Sequence, residues 1–471
     1  MTTTPAPPSG PLGATVLRNA SVLGAATIVV RLLMFALGIV LARALGAESY
    51  GQYALALALG VVLQPVADLG LTPYLSREVA RDRRGGEAVL PTLLVAKVSL
   101  LGVTFLLTAG VAGLVVRGEE LLAVIVAMVL AALLDGLSIF VYGYFQGREA
   151  MHYEARATAI AAGVRGAGGI VLAVATERLA FVVGWILLVA VLQAAAAAFR
   201  LRREVGGAAT LRRSQGATVN WRAVASMGLI AIFVMTYLRV DTVLLGWLKD
   251  EREAGLYAAA YALMMGAQIP PWMLATALTP VFARTYHRDP AEFEASWHRG
   301  LRLVLLISLP IALLTSLLAG GIVDRLYGDE FERSADVLAL VIWICPLGAV
   351  SLIAQAVLRG AGRELWLTVV SGGCAALNVG LNLWAIPRHG IMGAAVVTVV
   401  TEAVNMIALV AAARRGRLVP WPRFPVVRTA LAACAASAVA VAGDGLPVEV
   451  AGLGAVAAYL TVLWTTGVLR R

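Results

Sequence analysis

The chain has 471 residues, 60% of them hydrophobic and 14% charged, with a formal net charge of +10 and a mean hydropathy of +0.84. An ordinary soluble domain, about 45–50% apolar and about 25% charged, is excluded, and the chain reads as an all-α polytopic membrane protein. The basic surplus does not point to nucleic acid, because its residues fall in loops on one side of the apolar runs.

Residues 1–16, opening with MTTTPAPPSGPLG, are Pro-rich and lack the basic region and cleavage pattern of a secretory signal, so a disordered cytoplasmic tail is expected. Apolar runs of about 20 residues, the length that crosses a hydrocarbon core, then recur at 21–42, 50–74, 89–116, 121–145, 158–174, 181–198 and 224–247. They continue at 256–281, 303–322, 337–358, 365–386, 391–413, 426–441 and 448–469, giving about 14 transmembrane helices. Of the 38 Lys and Arg, 26 lie in the termini and alternate loops of one side, among them Arg77, Arg81, Arg83, Arg84, Arg212, Arg213, Arg414 and Arg415. Eight lie on the other side, including Arg43, Lys249, Arg325 and Arg388. The positive-inside rule therefore makes the first side, with both termini, cytoplasmic.

The phrase YGQYALALAL from Tyr50 has a counterpart in AGLYAAAYAL from Ala254, and QGRE at Gln146 in AGRE at Ala361. The repeat, offset by about 204 to 215 residues, divides the chain into a six-helix bundle at 17–200, a basic linker at 201–220, a second six-helix bundle at 221–417 and two additional helices at 418–471. Two repeated bundles are a common transporter plan, with the substrate site near the midplane.

Cys345, Cys374 and Cys434 all fall in spans, where a thiol packs as a small hydrophobe. His152, His287, His298 and His389 lack metal-ligand spacing, so no metal or other cofactor is expected. There is no Ser/His/Asp or Cys/His set and no GxxxxGK[ST] phosphate loop, which argues against an enzyme.

The remaining four basic residues, Arg31, Lys97, Arg165 and Arg239, lie within spans, as do four acids, Asp68, Asp135, Asp241 and Glu402. An arginine at a helix centre costs at least about 2.5–3.5 kcal/mol on insertion scales, so such residues face protein or a water-filled cavity. Arg31 shares a small and polar stripe with Gly24, Thr27 and Gly38. Lys97 is near enough to the cytoplasmic face to snorkel. The eight charges sum to zero and can pair off as salt bridges, or serve substrate and coupling ions. Arg239 and Asp241 point roughly 200° apart on a helix, so each needs a partner on another element. Ser371, Asn378 and Asn382 form one polar stripe, and Thr398, Glu402 and Asn405 another. Each stripe reads equally well as interhelical glue or as the path of a hydrophilic substrate.

LARALGAESYGQYALALAL, RVDTVLLGWLKDEREAGLYAAAYAL and LNVGLNLWAIPRHGIMGAAVVTVVTE resemble three regions of the polysaccharide-transport (Wzx-like) oligosaccharide flippases. That family lies in the multidrug/oligosaccharidyl-lipid/polysaccharide (MOP) superfamily, with the lipid II flippases and the MATE exporters. The third stretch is the most specific, with Asn378, Asn382, Pro387, Gly390, Gly393 and Ala394 placed as in the family pattern. The resemblance implies a V-shaped pair of six-helix bundles in the cytoplasmic membrane. These would move a polyprenyl-diphosphate-linked oligosaccharide from the inner to the outer leaflet by alternating access.

It also implies cavity cations for the diphosphate. Arg31, Arg165 and Arg239, with Asn378 and Asn382, are the expected substrate-binding residues. Lys97, Asp68, Asp135, Asp241 and Glu402 are the expected coupling or ion-pair residues, for a proton or sodium ion. Polysaccharide polymerase and glycosyltransferases are the expected protein partners, alongside membrane lipids. The rival readings are an ion-coupled, MATE-like small-molecule exporter, and a membrane glycosyltransferase or polymerase. The last would need a large outer loop, and none here exceeds about 15 residues beyond the spanning lengths.

Overall fold

The computed structural model describes residues 11–205, 218–286, 288–416, 418–420, 426–442 and 448–466. Within a bilayer the backbone must satisfy its own hydrogen bonds, and helix does so within one segment. The order is α1 (Pro11–Val66), α2 (Leu71–Arg81), α3 (Arg83–Val115), α4 (Glu119–Gly147), α5 (His152–Thr176), α6 (Leu179–Val205) and α7 (Trp221–Leu248). Then follow α8 (Glu251–Ala267), α9 (Ile269–Thr285), α10 (Pro290–Leu317), α11 (Ala319–Tyr327), α12 (Arg333–Val341), α13 (Ile344–Gly360), α14 (Glu364–Arg415), α15 (Val426–Ala442) and α16 (Val448–Thr465). No strand occurs among the described residues, and there each of the fourteen apolar runs lies on helix apart from short breaks, as at 67–70 and Leu318. The all-α class holds.

Residues 1–10 of the expected tail lie outside the described residues, while 11–16 already belong to α1. Residues 206–217 of the expected linker, and His287, are likewise outside them.

Two helices carry two spans each. Leu365–Arg415 has 51 residues, about 76 Å if straight at 1.5 Å per residue, over twice a hydrocarbon core of about 30 Å. It folds back at Gly390, whose φ of 55° and ψ of −137° end one helix and start the next. Gly46 does the same in α1, with φ 78° and ψ 173°. Conversely, the runs at 256–281 and 337–358 are each two helices. The first breaks at Gln268, before Pro270 and Pro271, whose missing N–H groups cannot continue the ladder. The second breaks at Ile342–Trp343. Three loop aspartates start helices by accepting backbone N–H bonds: Asp82 for α3, Asp250 for α8 and Asp289 for α10.

The chain forms two compact units. Unit 1 comprises 1–37 and 59–232. Its core gathers Leu71, Tyr74 and Leu75 of α2, Leu90 and Leu93 of α3, Phe140 and Tyr144 of α4, and Leu201 of α6. Unit 2 comprises 38–58 and 233–471, so it takes in the end of the first span and the start of the second. Its core packs Phe282 of α9, Trp297 and Val304 of α10, Ile353 and Val357 of α13, and Leu409 of α14. A satellite of Ala432, Ala436, Ala455 and Tyr459 docks α15 and α16 on Leu314 of α10. On α3 the opposite face leaves Val95, Val98, Leu106, Leu107 and Leu114 exposed, as a lipid-facing helix requires.

Candidate functional site: membrane-embedded charges and their partners

Among the described side chains of unit 1 the embedded charges pair off. Lys97 of α3 is fully buried, and its Nζ donates to Asp68 Oδ1 at 2.7 Å. Asp68 lies in the turn between α1 and α2, where Leu69 (φ 45°) and Gly70 (φ 89°) reverse the chain. Its carboxylate also accepts from Thr72 Oγ1 (2.6 Å) and Thr72 N (3.2 Å), so it caps α2 while neutralising Lys97. Arg165 of α5 makes a bidentate pair with Asp135 of α4, both N–O distances being 2.9 Å. This fork geometry is the strongest an arginine makes to a carboxylate, and the side chains are 18% and 23% exposed. Neither cation has free charge to offer. Arg31 sits on α1, but its side chain lies outside the described residues.

Arg165→Ala would leave Asp135 uncompensated, at about 3 kcal/mol, the lower end of the range for breaking a buried pair because this one is partly exposed. The variant is expected to yield less folded protein on gel filtration. Asp135→Asn in the same chain should restore it. Full recovery of Arg165→Ala alone would remove the structural role.

Unit 2 is arranged differently. Asp241 of α7 is 1% exposed. It accepts from the Tyr257 hydroxyl of α8, from Thr398 Oγ1 of α14 at 3.2 Å and from Thr242 N at 2.8 Å. One turn along α8, Tyr261 places its ring under the Arg239 guanidinium, 5.6 Å from centroid to Cζ. Tyr257 and Tyr261 stack with centroids 5.8 Å apart, so the pair at i, i+4 serves the acid with one hydroxyl and the base with one ring face. Among the described residues no carboxylate lies within ion-pair distance of Arg239, which is half-buried. Asp241, only two residues on, is committed to α8 and α14 instead.

Glu402 of α14 is 7% exposed. Its Oε2 accepts from Tyr237 of α7 at 2.6 Å, and its Oε1 from Ser351 of α13 at 2.7 Å. Asn405 Nδ2 lies 3.3 Å from Oε1. Asn378 and Asn382 are fully buried and bond each other: Asn382 Nδ2 donates to Asn378 Oδ1 (3.0 Å), and Asn378 Nδ2 to Thr401 Oγ1 (3.2 Å). Asn382 Oδ1 is buried without a partner. The first polar stripe thus reaches across the Gly390 bend to Thr401, which lies beside the second stripe on α14.

The family whose description is polysaccharide biosynthesis protein matches residues 16–286, more than half of the chain. The chain belongs to this family. A second family, MatE, matches residues 227–384 of the chain. Together they place it among the Wzx-like polysaccharide flippases of the MOP superfamily, as the three quoted stretches implied. No curated protein matches it in sequence.

Among solved structures it is similar to the lipid II flippase MurJ in an inward closed conformation, with TM-score 0.77 and 12% identity over 95% of this chain and 99% of that one. It is similar to an inward-facing multidrug resistance MATE family transporter of the MOP superfamily, with TM-score 0.63 and 15% identity over 83% and 94%. A MOP superfamily transporter from Pyrococcus furiosus Vc1 (DSM3638) gives TM-score 0.62 and 17% identity over 86% and 95%. At these identities the likeness is one of fold. The family protein is a multi-pass membrane transporter.

Sequence reasoning did not single out Tyr237, Tyr257, Tyr261 or Ser351 as partners of its charged groups. The Tyr257–Tyr261 spacing was visible inside AGLYAAAYAL, as two aromatic hydroxyls one turn apart on an otherwise small-residue helix.

Proposed function

We propose that this chain is a flippase that carries a polyprenyl-diphosphate-linked oligosaccharide from the inner to the outer leaflet of the cytoplasmic membrane, for polysaccharide biosynthesis. The two repeated bundles, 17–200 and 221–417, would work by alternating access with both termini cytoplasmic. The observation that carries the reading is Arg239. It is the described cation within the spans that has no carboxylate, and it rests on an aromatic face that leaves its N–H fork for an anion. A diphosphate headgroup, with about two negative charges and several acceptor oxygens, fits that fork. Arg31 is placed in the same role by its span. Arg165 contributes less, being matched by Asp135. Asn378 and Asn382 support the polar core beside the anion site. Membrane lipids surround the substrate, and a polymerase and glycosyltransferases would act on it before and after.

The second reading, an ion-coupled exporter of small molecules, draws on the buried carboxylates Asp241 and Glu402 and on the MatE match. The purified protein, reconstituted in vesicles with a fluorescent polyprenyl-diphosphate oligosaccharide, separates the two. The flippase makes the labelled headgroup reachable by an external quencher faster than in protein-free vesicles, and a polyprenyl-monophosphate analogue lags behind it. An unchanged quenching rate, with uptake of a cationic dye instead, would favour the exporter.

A further inference from the structure

Aromatic residues of unit 2 gather beside α7 and α8. Tyr50 and Tyr53 come from α1 just past the Gly46 bend, Tyr257 and Tyr261 from α8, Tyr327 from α11 and Phe331 from the turn that follows it. Tyr53, Tyr50, Phe331 and Tyr327 form a run, with successive centroids 6.1, 6.2 and 5.2 Å apart. Three of the phenols commit their hydroxyls to this chain: Tyr257 to Asp241, Tyr261 to the Leu238 carbonyl, and Tyr327 to the Ala259 carbonyl at 3.2 Å. Tyr50 does not. It is 4% exposed, and its hydroxyl bonds to nothing among the described residues. A buried polar group without a partner is uncommon enough to require a reason. The Arg239 guanidinium lies within electrostatic reach of that hydroxyl, as do the Tyr53 and Tyr327 phenols. A Cβ on Gly38 would lie 3.7 Å from the oxygen, so glycine at this position keeps it clear of side-chain cover.

We propose that Tyr50 is a second donor of the Arg239 anion site, its O–H bonding the same phosphate group as the guanidinium fork. The proposal rests on the reading of Arg239 given above. An arginine offers donors and no acceptor, and the phenol O–H turns to whichever acceptor arrives. The guanidinium repels a cation, and a neutral sugar hydroxyl would leave its charge unmatched. The complementary ligand is therefore an oxyanion with acceptor oxygens for both groups, a phosphate or diphosphate ester. A neutral second donor also suits a site that must release what it binds. It strengthens the hold on an oxyanion without adding a buried charge that would need matching once the ligand leaves. Tyr50 is in this sense a binding residue supplied by α1 to a cation carried on α7.

The test uses two soluble probes, inorganic pyrophosphate for a free anion and geranyl diphosphate for a lipid-linked one. Their binding to full-length protein in neutral detergent is read by calorimetry. Tyr50→Phe should weaken binding by about tenfold, as expected for one hydrogen bond to a charged group, and Arg239→Gln should weaken it further. The probe whose binding depends on Tyr50 identifies the source of the phosphate. Without ligand, Tyr50→Phe should melt with the unaltered protein, because no hydrogen bond of the fold goes with the hydroxyl. A lower melting temperature for Tyr50→Phe would make that hydroxyl structural and overturn the proposal. If Tyr50→Phe binds both probes as the unaltered protein does while Arg239→Gln does not, the role of Tyr50 falls and the Arg239 reading stands. Equal binding by all three proteins, or none by the unaltered one, overturns both. Should Arg239→Gln not accumulate, Arg239→Lys takes its place in the comparison.

Discussion

Arg239→Ala is expected to slow translocation of a diphosphate-linked substrate by about ten- to a hundredfold, while the protein still accumulates. Hydrogen bonds to a charged group contribute about 1.5–3 kcal/mol, and each 1.36 kcal/mol is a factor of ten in rate. Accumulation should survive because Asp241, the acid nearest Arg239 in the chain, keeps its hydrogen bonds from Tyr257, Thr398 and Thr242 when the guanidinium is gone. Its described contact is the Tyr261 ring, and that ring is independently placed by its hydroxyl, which donates to the Leu238 carbonyl at 3.2 Å. Arg239→Lys should recover only part of the rate, since it restores the charge without the planar fork. The check is the quenching assay run beside a count of folded protein for each variant. Loss of folded Arg239→Ala, at the level expected for Arg165→Ala, would make the residue structural and remove the main support for an anion site in unit 2.

The contrast between Arg165 and Arg239 marks where the sequence stops informing. Both are single arginines in apolar helices, and composition gives them equal standing. Their difference lies in partners 30 residues away in one case and 22 in the other, Asp135 and Tyr261, which no local pattern connects. Spans were legible because hydrophobic length is a local property. The Asn378–Asn382 and Thr398–Glu402–Asn405 stripes were legible because helical spacing is local too. The bond from Asn378 to Thr401 was not, since it depends on α14 folding back at Gly390. Tyrosines escaped notice for a chemical reason. A phenol is scored as an apolar body, yet in a membrane interior its hydroxyl is among the few donors able to meet a buried carboxylate without adding charge.

The family pattern Pro387–Gly390–Gly393 gains a physical basis in the same bend. Gly390 has a positive φ, and a Cβ there would lie 2.8 Å from Glu253 Oε2, the same oxygen that accepts the Ile391 N–H at 3.2 Å where the second helix begins. Gly393 leaves room for the Ala385 carbonyl, 2.6 Å from its would-be Cβ. Gly46 repeats the device in α1. Glu330 Oε1 accepts the Ala47 N–H at 3.1 Å, capping the restarted helix from a distant loop.

Gly51→Val should cost more stability than other glycine replacements outside the bends, about 3 kcal/mol or more, at the upper end of overpacking penalties. The phrases that revealed the repeat, YGQYALALAL and AGLYAAAYAL, cross each other at their glycines. A Cβ on Gly51 would sit 1.7 Å from the Glu251 carbonyl oxygen, and one on Gly255 would sit 2.2 Å from that of Ala47 and 3.0 Å from Gly51 Cα. The obstacles are backbone, which no rotamer change relieves, so the helices must separate. Separation pulls on Ala47 and its Glu330 cap, and on Glu253, which pairs with Arg333 and caps Ile391. The expected result is a lower melting temperature in detergent for Gly51→Val and Gly255→Val, and a smaller drop for the alanine variants. Gly102→Ala and Gly110→Ala serve as the reference, because nothing lies within 4 Å of their would-be Cβ atoms and alanine should gain about 0.5–1 kcal/mol in a helix interior. Melting of Gly51→Val indistinguishable from those two would mean that the crossing is not closed in the protein as isolated, and that the two repeat phrases part without cost.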